Sequence, residues 1–331
     1  MTFDELTGPL QQLITADLAE VEERLRAAVA DADTVIGAAT AHLQTAGGKR
    51  IRPALTLLTA QLGDYADPAR REAVLKAATA VELTHLATLY HDDVMDAAPV
   101  RRGAPSVHRL WGNSVAILAG DVLFARASSM AARLGPSVVL QHAVTFERLC
   151  RGQLNETIGP RHEDPVAFYL QVLADKTGSL VALAAREGAE LAGAREYGEM
   201  LAEYGDKVGV AFQLADDVID LSDADTGKVA GTDLREGVDT MPVLLLRAAQ
   251  RNGTLDGDGQ RILAALSTGL SDDRELARVV AALRAHTVTE QTSQMARQWA
   301  DAAVKSLAEL PHGSVRQALE EFATFTVSRT A

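Results

Sequence analysis

Cysteine is nearly absent: Cys150 stands alone among 331 residues. No disulfide can therefore close within the chain, which suits a reducing compartment and points to the cytoplasm. Aromatic residues make up only 4% while hydrophobic residues reach 47%, with Ala and Leu recurring throughout. Strands favour β-branched and aromatic side chains, so this shortage argues against a β protein and predicts helix through most of the chain. Basic residues are outnumbered, 32 against 45 acids, for a formal net charge of -13. Such a balance repels a polyanion and argues against a nucleic-acid partner.

Long apolar runs are missing too. Val115–Leu123 and Leu180–Ala185 are among the most apolar windows, and both fall far short of the roughly 20 residues that span a bilayer. No transmembrane segment is expected. The start of the chain carries Asp4, Glu5, Asp17, Glu20, Glu22 and Glu23 instead of a basic stretch and an apolar core, so no signal peptide is expected. No Pro/Gly/Ser-rich linker divides the sequence. Length alone allows one or two domains, and a single helical domain over residues 1–331 is preferred.

Helical periodicity fills most of the chain. Leu13, Leu18, Val21, Leu25 and Val29 recur at helical spacing among acids and arginines. Gly47 to Pro53 is a break with a basic cluster, and Pro53 suits a helix start. Nothing interrupts a helix from Ala73 to Asp96, which stacks Val81, His85, Thr88 and Asp92 along one face. Ala97–Pro105 reads as a loop because two prolines and a glycine oppose regular structure. Further helices are expected over Val115–Leu134, Glu147–Thr157, Val166–Ala192 and Tyr197–Leu221. Ser222–Thr240 reads as a polar loop, and helical patterning resumes from Pro242.

Two acidic pentads carry the chemistry. Asp92-Asp93-Val94-Met95-Asp96 sets carboxylates at i, i+1 and i+4 on a mostly apolar helix, and Asp216-Asp217-Val218-Ile219-Asp220 repeats that spacing. One pentad alone reads equally as a metal site or an exposed acidic helix end. Two copies favour hard cations, since Mg²⁺ takes oxygen ligands, retains water and bridges to substrate phosphates. Lys49, Arg52, Arg101, Arg102, Lys176, Lys228 and Arg235 supply bases suited to an anion, many at helix starts or beside glycine. Each taken singly also reads as an ordinary solvated base. A P-loop is excluded because Asp175 rather than glycine precedes Lys176, and the Asp220–Lys228 stretch lacks the glycine placement of a calcium loop. His91-Asp92 leaves open a histidine-aspartate metal phosphohydrolase, a reading that does not explain the second pentad.

In order, Gly47–Pro53, His85, Asp92–Asp96, Arg101-Arg102-Gly103, Gly120-Asp121, Gly152-Gln153, Lys176-Thr177-Gly178, Phe212-Gln213, Asp216–Asp220 and Gly227–Gly237 resemble the trans-polyprenyl diphosphate synthase family. The resemblance implies an all-α fold, a single large helical bundle of the isoprenoid synthase type with a central cavity. It implies an enzyme that joins isopentenyl diphosphate to an allylic diphosphate with two or three Mg²⁺ ions, and it implies a homodimer. By the same resemblance Asp92, Asp93, Asp96, Asp216, Asp217 and Asp220 would be the metal ligands. Lys176, Lys228 and Arg101 would meet the allylic diphosphate, while Lys49, Arg52, His85 and Arg102 would meet the isopentenyl diphosphate. Thr177 and Gln213 would line the reacting carbons. Asp92, Asp96, Lys176, Thr177, Gln213 and Asp216 form the expected catalytic set.

Ala87 and Thr88 lie just before Asp92, where bulky aromatics stop elongation early in the family. Both are small here, so a product longer than farnesyl diphosphate is expected, of the kind used for quinone side chains. Geranylgeranyl diphosphate is the alternative, with Leu83 or Ala80 closing the channel sooner. A non-catalytic subunit of a heteromeric synthase is a third reading, from which loss of acids would be expected, and none is missing.

Overall fold

Five helices in this chain begin where an aspartate side chain accepts hydrogen bonds from free backbone N–H groups. Asp33, Asp67, Asp164, Asp256 and Asp272 each do so, and Pro68 and Pro165 follow two of them at the first helical position. Such a cap contributes about 0.5–2 kcal/mol. The computed structural model describes residues 9–31, 33–222, 230–270 and 272–328. These form α1 (Pro9–Val29), α2 (Thr34–Thr45), α3 (Ile51–Ala60), α4 (Pro68–Met95), a ribbon of β1 (Val100–Arg101) and β2 (Ala104–Pro105), α5 (Val107–Trp111), α6 (Asn113–Ala132), α7 (Pro136–Ile158) and α8 (Pro165–Leu173). There follow α9 (Ser179–Leu191), α10 (Gly198–Ile219), α11 (Thr232–Arg235), α12 (Met241–Arg251), α13 (Gly257–Ser267), α14 (Asp273–Ala285), α15 (Thr287–Ser306) and α16 (Ser314–Ser328). The all-α expectation holds.

The helices gather into two compact units. The first takes the chain up to Glu147 with Leu180–Gly205 and Glu309–Ala318; the second takes Arg148–Ser179, Asp206–Ala308 and the chain from Leu319. In the first, α4 is the spine against which α1, α3 and α6 pack. It buries Val74, Leu75, Val81, Leu83, Leu86 and Tyr90 almost completely, each large aliphatic contributing about 1.5–3 kcal/mol. Polar contacts fix its neighbours. Tyr90 Oη donates to Ala39 O at 2.7 Å, and Arg24 on α1 bonds Glu72 at 2.7 Å. In the second unit, Leu173, Val210, Leu214, Met241 and Ala300 form one apolar cluster, and Leu246, Leu276 and Leu283 belong to another.

Five features depart from the sequence reading, the first being α11, which lies inside the expected loop Ser222–Thr240. The expected helix Val166–Ala192 is interrupted by a π turn over Ala174–Gly178, in which Ser179 N–H reaches back five residues to Ala174 O. The loop Ala97–Pro105 contains a two-residue hairpin in which Val100 pairs with Pro105 and Arg101 with Ala104. Its central residues, Arg102 and Gly103, have φ of 54° and 78°, the geometry that matches a turn to strand twist. The helix expected over Glu147–Thr157 begins eleven residues earlier, at Pro136. Finally, Asn113–Ala132 and Pro165–Leu191 are long and apolar enough to cross a membrane by length and composition, correcting the reading that apolar stretches are all too short. A third of the first window and half of the second are buried within the protein.

Candidate active site

The pitch of α4 sorts the first acidic pentad. Successive residues turn by about 100°, so Asp92 and Asp96 share a face while Asp93 turns inward. Asp96 is exposed and caps the helix, its N–H bonding Asp92 O at 2.8 Å. Asp93 is only 1% exposed, and its Oδ1 accepts a 2.6 Å hydrogen bond from Arg101 Nε. Its Oδ2 is buried without a hydrogen-bond partner. Burial raises the Asp93 pKa, and the Arg101 guanidinium opposes the rise. Of the three acids expected to hold metal from this helix, two thus point together and the third meets Arg101, a residue expected at a diphosphate.

A cationic cluster surrounds the start of α3. Arg50, in a left-handed conformation with φ of 49°, bonds Glu22 through Nε at 2.8 Å and Glu82 through Nη1 at 2.9 Å. Arg102, at the hairpin tip, donates Nη1 to Leu43 O at 3.0 Å and to Gly47 O. Gly48 is packed so closely that a Cβ there would come within 2.9 Å of Arg50 Nη1 and 3.0 Å of Arg102 Cζ. Arg52 has a buried Nε with no hydrogen-bond partner. Burial lowers the pKa of both Arg52 and Arg102 while the buried carboxylate of Glu82 opposes the shift. His85 is held well below the usual imidazole range by burial and then by Arg52, Arg102, Arg50 and Arg101. Burial and these cations thus disfavour the charged imidazolium, and the neutral ring offers one donor and one acceptor. Lys49 is exposed beside this group. Arg50, Arg52 and Arg102 face Glu22 and Glu82, so cations exceed anions in a partly buried place.

The second unit holds the other pentad at the end of α10. Asp216 and Asp220 are partly buried, and Asp217 is 6% exposed. Tyr169 Oη donates to both Asp217 oxygens at 3.1 Å, and Met241 N–H donates to Oδ2 at 3.0 Å. Burial pushes the Asp217 carboxyl up to about 8, against the pull of these two donors. Lys176 and Thr177 lie within the π turn, where Lys176 Nζ sits 2.5 Å from Glu156 Oε2. Gln213 stands on α10, partly buried, one turn before Asp216 and Asp217. Lys228 lies outside the described residues.

These donor sets are suited to a hard divalent cation. Among the described residues, no group of three His, Cys, Asp or Glu side chains is placed to hold a metal by itself. The paired acids are all oxygen donors, which fits an ion that keeps waters and substrate oxygens in its shell, and not one that seeks sulfur and nitrogen.

Three participants escaped the sequence reading. Glu82, buried three residues before His85, is the anion around which the arginines gather. Tyr169 braces Asp217 from α8. Arg148 bonds Asp175 inside the π turn at 2.8 Å. An acid within an apolar helical run was the available signal for Glu82; nothing in the spacing marks the other two.

Comparison with known proteins gives a consistent set of relatives. The polyprenyl synthetase family model matches residues 33–297. "Nonaprenyl diphosphate synthase" of Mycobacterium tuberculosis is 45% identical over 320 residues, covering 96% of this chain and 93% of that protein. Geranylgeranyl pyrophosphate synthase from Corynebacterium glutamicum, solved with calcium and isoprenyl diphosphate, superposes with a TM-score of 0.86 at 39% identity over 99% of both chains. A polyprenyl synthase from Caulobacter crescentus, also solved with calcium and isoprenyl diphosphate, gives a TM-score of 0.84 at 34% identity over 97% of both chains.

Proposed function

Since this chain belongs to the polyprenyl synthetase family and is a head-to-tail prenyltransferase, we propose that it joins isopentenyl diphosphate to an allylic diphosphate, using Mg²⁺, and makes a polyprenyl chain longer than farnesyl. The observation that carries the substrate assignment is the cation excess at Arg50, Arg52 and Arg102, with the Arg52 Nε buried and unpartnered. A diphosphate offers the several oxygens needed to satisfy such forks.

Asp92 and Asp96 from α4, and Asp216 and Asp220 from α10, would hold the divalent ions; Asp217, braced by Tyr169, would support that wall. When bound, those ions supply charge that neutralises a leaving diphosphate. Lys176 adds its ammonium to the same oxygens, with Glu156 as its partner in the unliganded protein. The allylic C–O bond breaks with its electron pair leaving on the diphosphate, and oxygen dipoles from Thr177 and Gln213 stabilise the developing cation. The isopentenyl double bond, positioned through Lys49, Arg52, His85 and Arg102, attacks that carbon. Loss of a proton from the neighbouring carbon restores a double bond.

Long-chain synthesis is supported by the small residues Ala87 and Thr88 on α4 and by the likeness to a nonaprenyl synthase. A homodimer is supported by the apolar side chains that α6 and α7 expose, among them Leu118 at 62% and Leu140 at 65%. The lone Cys150 accords with a cytoplasmic protein. Incubating the purified protein with Mg²⁺, labelled isopentenyl diphosphate and dimethylallyl, geranyl, farnesyl or geranylgeranyl diphosphate, then separating the dephosphorylated products, tests the proposal. Product chains beyond fifteen carbons, abolished by a chelator and restored by Mg²⁺, are expected. No product from any starter would overturn it.

A further inference from the structure

The π turn over Ala174–Gly178 is an unusual place to hang two functional side chains. One extra residue in a helical turn costs hydrogen-bond geometry, and such turns cluster at functional sites. Something has to hold this one open. Arg148, on α7, donates Nε to Asp175 Oδ1 at 2.8 Å, Nη1 to Asp206 Oδ2 at 3.2 Å and Nη2 to Ala174 O at 3.3 Å. Asp175 is 5% exposed, and its second oxygen accepts from Gln171 Nε2 at 3.0 Å while its backbone O accepts from Ser179 Oγ at 2.6 Å. Glycines close the frame. A Cβ at Gly152 would come within 2.8 Å of Lys176 N, one at Gly178 within 2.8 Å of Asp206 O, and one at Gly209 within 2.5 Å of Gly178 Cα.

We infer that Arg148 is a positioning residue for the prenyl transfer: by bridging Asp175 and Asp206 it keeps the π turn in register and so aims Lys176 and Thr177. The inference rests on the assignment above of those two side chains to the allylic substrate. Arg148 touches neither substrate in this scheme. Its guanidinium grips both a side chain and a carbonyl of the turn while anchored to α10 through Asp206. Were the turn to relax into ordinary helix, residues beyond it would shift by one position, about 100° around the axis. Lys176 and Thr177 would then no longer share their present orientation.

Arg148→Gln removes the fork, and Asp206→Asn removes one of its two acidic anchors while leaving the Asp175 pair. Hydrogen exchange read peptide by peptide is expected to show faster exchange confined to residues 174–179. Steady-state kinetics are expected to show kcat down on the order of 10- to 100-fold, as small misplacements of catalytic groups cause, with KM raised for the allylic diphosphate and unchanged for isopentenyl diphosphate. Native exchange and native kinetics would overturn the inference, as would a loss that falls equally on both substrates with exchange raised throughout the protein. If Arg148→Gln does not fold, Asp206→Asn decides by the same criteria. Should the wild-type protein make no prenyl product at all, the functional proposal fails while the exchange experiment still judges the bridge.

Discussion

Replacing Arg52 by Met separates the demands of binding from those of stability. In the unliganded protein Arg52 is a cost: burial disfavours its charge, Arg102 repels it, and its Nε lacks a hydrogen-bond partner. A buried unsatisfied donor costs about 1–3 kcal/mol, partly offset here by attraction to Glu82. Methionine nearly matches the aliphatic stem and carries no charge to bury. Arg52→Met is therefore expected to leave stability unchanged or raise it by about 1 kcal/mol, a shift of ~1–3 °C in Tm for a chain of this size. Binding moves the other way. A charge-assisted hydrogen bond contributes about 1.5–3 kcal/mol, so KM for isopentenyl diphosphate is expected to rise by roughly 10- to 150-fold. Differential scanning fluorimetry with and without inorganic pyrophosphate, alongside kinetics with each substrate varied, reads both effects. A variant that melts earlier yet keeps its KM would show that Arg52 is a structural cation, and the anion-binding argument would be lost.

Ala87→Phe is expected to shorten the prenyl product seen by reversed-phase chromatography. Because Ala87 is fully buried, the variant should also lose about 1–3 kcal/mol of stability to overpacking; a folded variant with the native product pattern would remove Ala87 from chain-length control. Gly188→Ala would drive a methyl group into Thr56 O and Thr59 Oγ1 across the α3–α9 contact, and chemical denaturation should report a loss of more than ~2 kcal/mol, whereas a native midpoint would contradict that packing. Glu72 is lowered from 4.5 to about 2, chiefly by its hydrogen bond from Arg24. Its contribution is fully present above pH 4.5 and is lost as pH falls through about 2, so Glu72→Gln should cost at most ~1 kcal/mol at pH 7, the pair being partly solvent-exposed, and nothing once the pH is well below 2. Equal loss at both pH values would place the effect elsewhere.

Much of this was legible from residue order because it depends on local chemistry. The unbroken run from Ala73 to Asp96 announced most of α4, the break from Gly47 to Pro53 marked the start of α3, and pentad spacing placed Asp92 and Asp96 on one face. What stayed hidden depends on partners distant in sequence. Arg50 and Glu82 are 32 residues apart, Arg148 and Asp206 are 58 apart, and no periodicity records either pairing. The π turn was invisible because nothing in the order Ala-Asp-Lys-Thr-Gly marks a wider turn, and it is framed by glycines whose neighbours only the fold supplies. Asp93 illustrates the middle ground: helical pitch predicts that it leaves the Asp92 face, but only the hairpin explains why Arg101 waits for it.

One unbroken rod, α4, carries both His85 and Asp92. Seven residues at about 1.5 Å each separate them by roughly 10 Å, two turns along the same side. The distance between the imidazole and the first acid is thus measured out by backbone hydrogen bonds within a single segment, and thermal breathing of loops leaves that gauge untouched. Inserting one alanine between them would twist the two ends apart like a mis-cut key, while inserting a full turn would preserve the heading and lengthen the span.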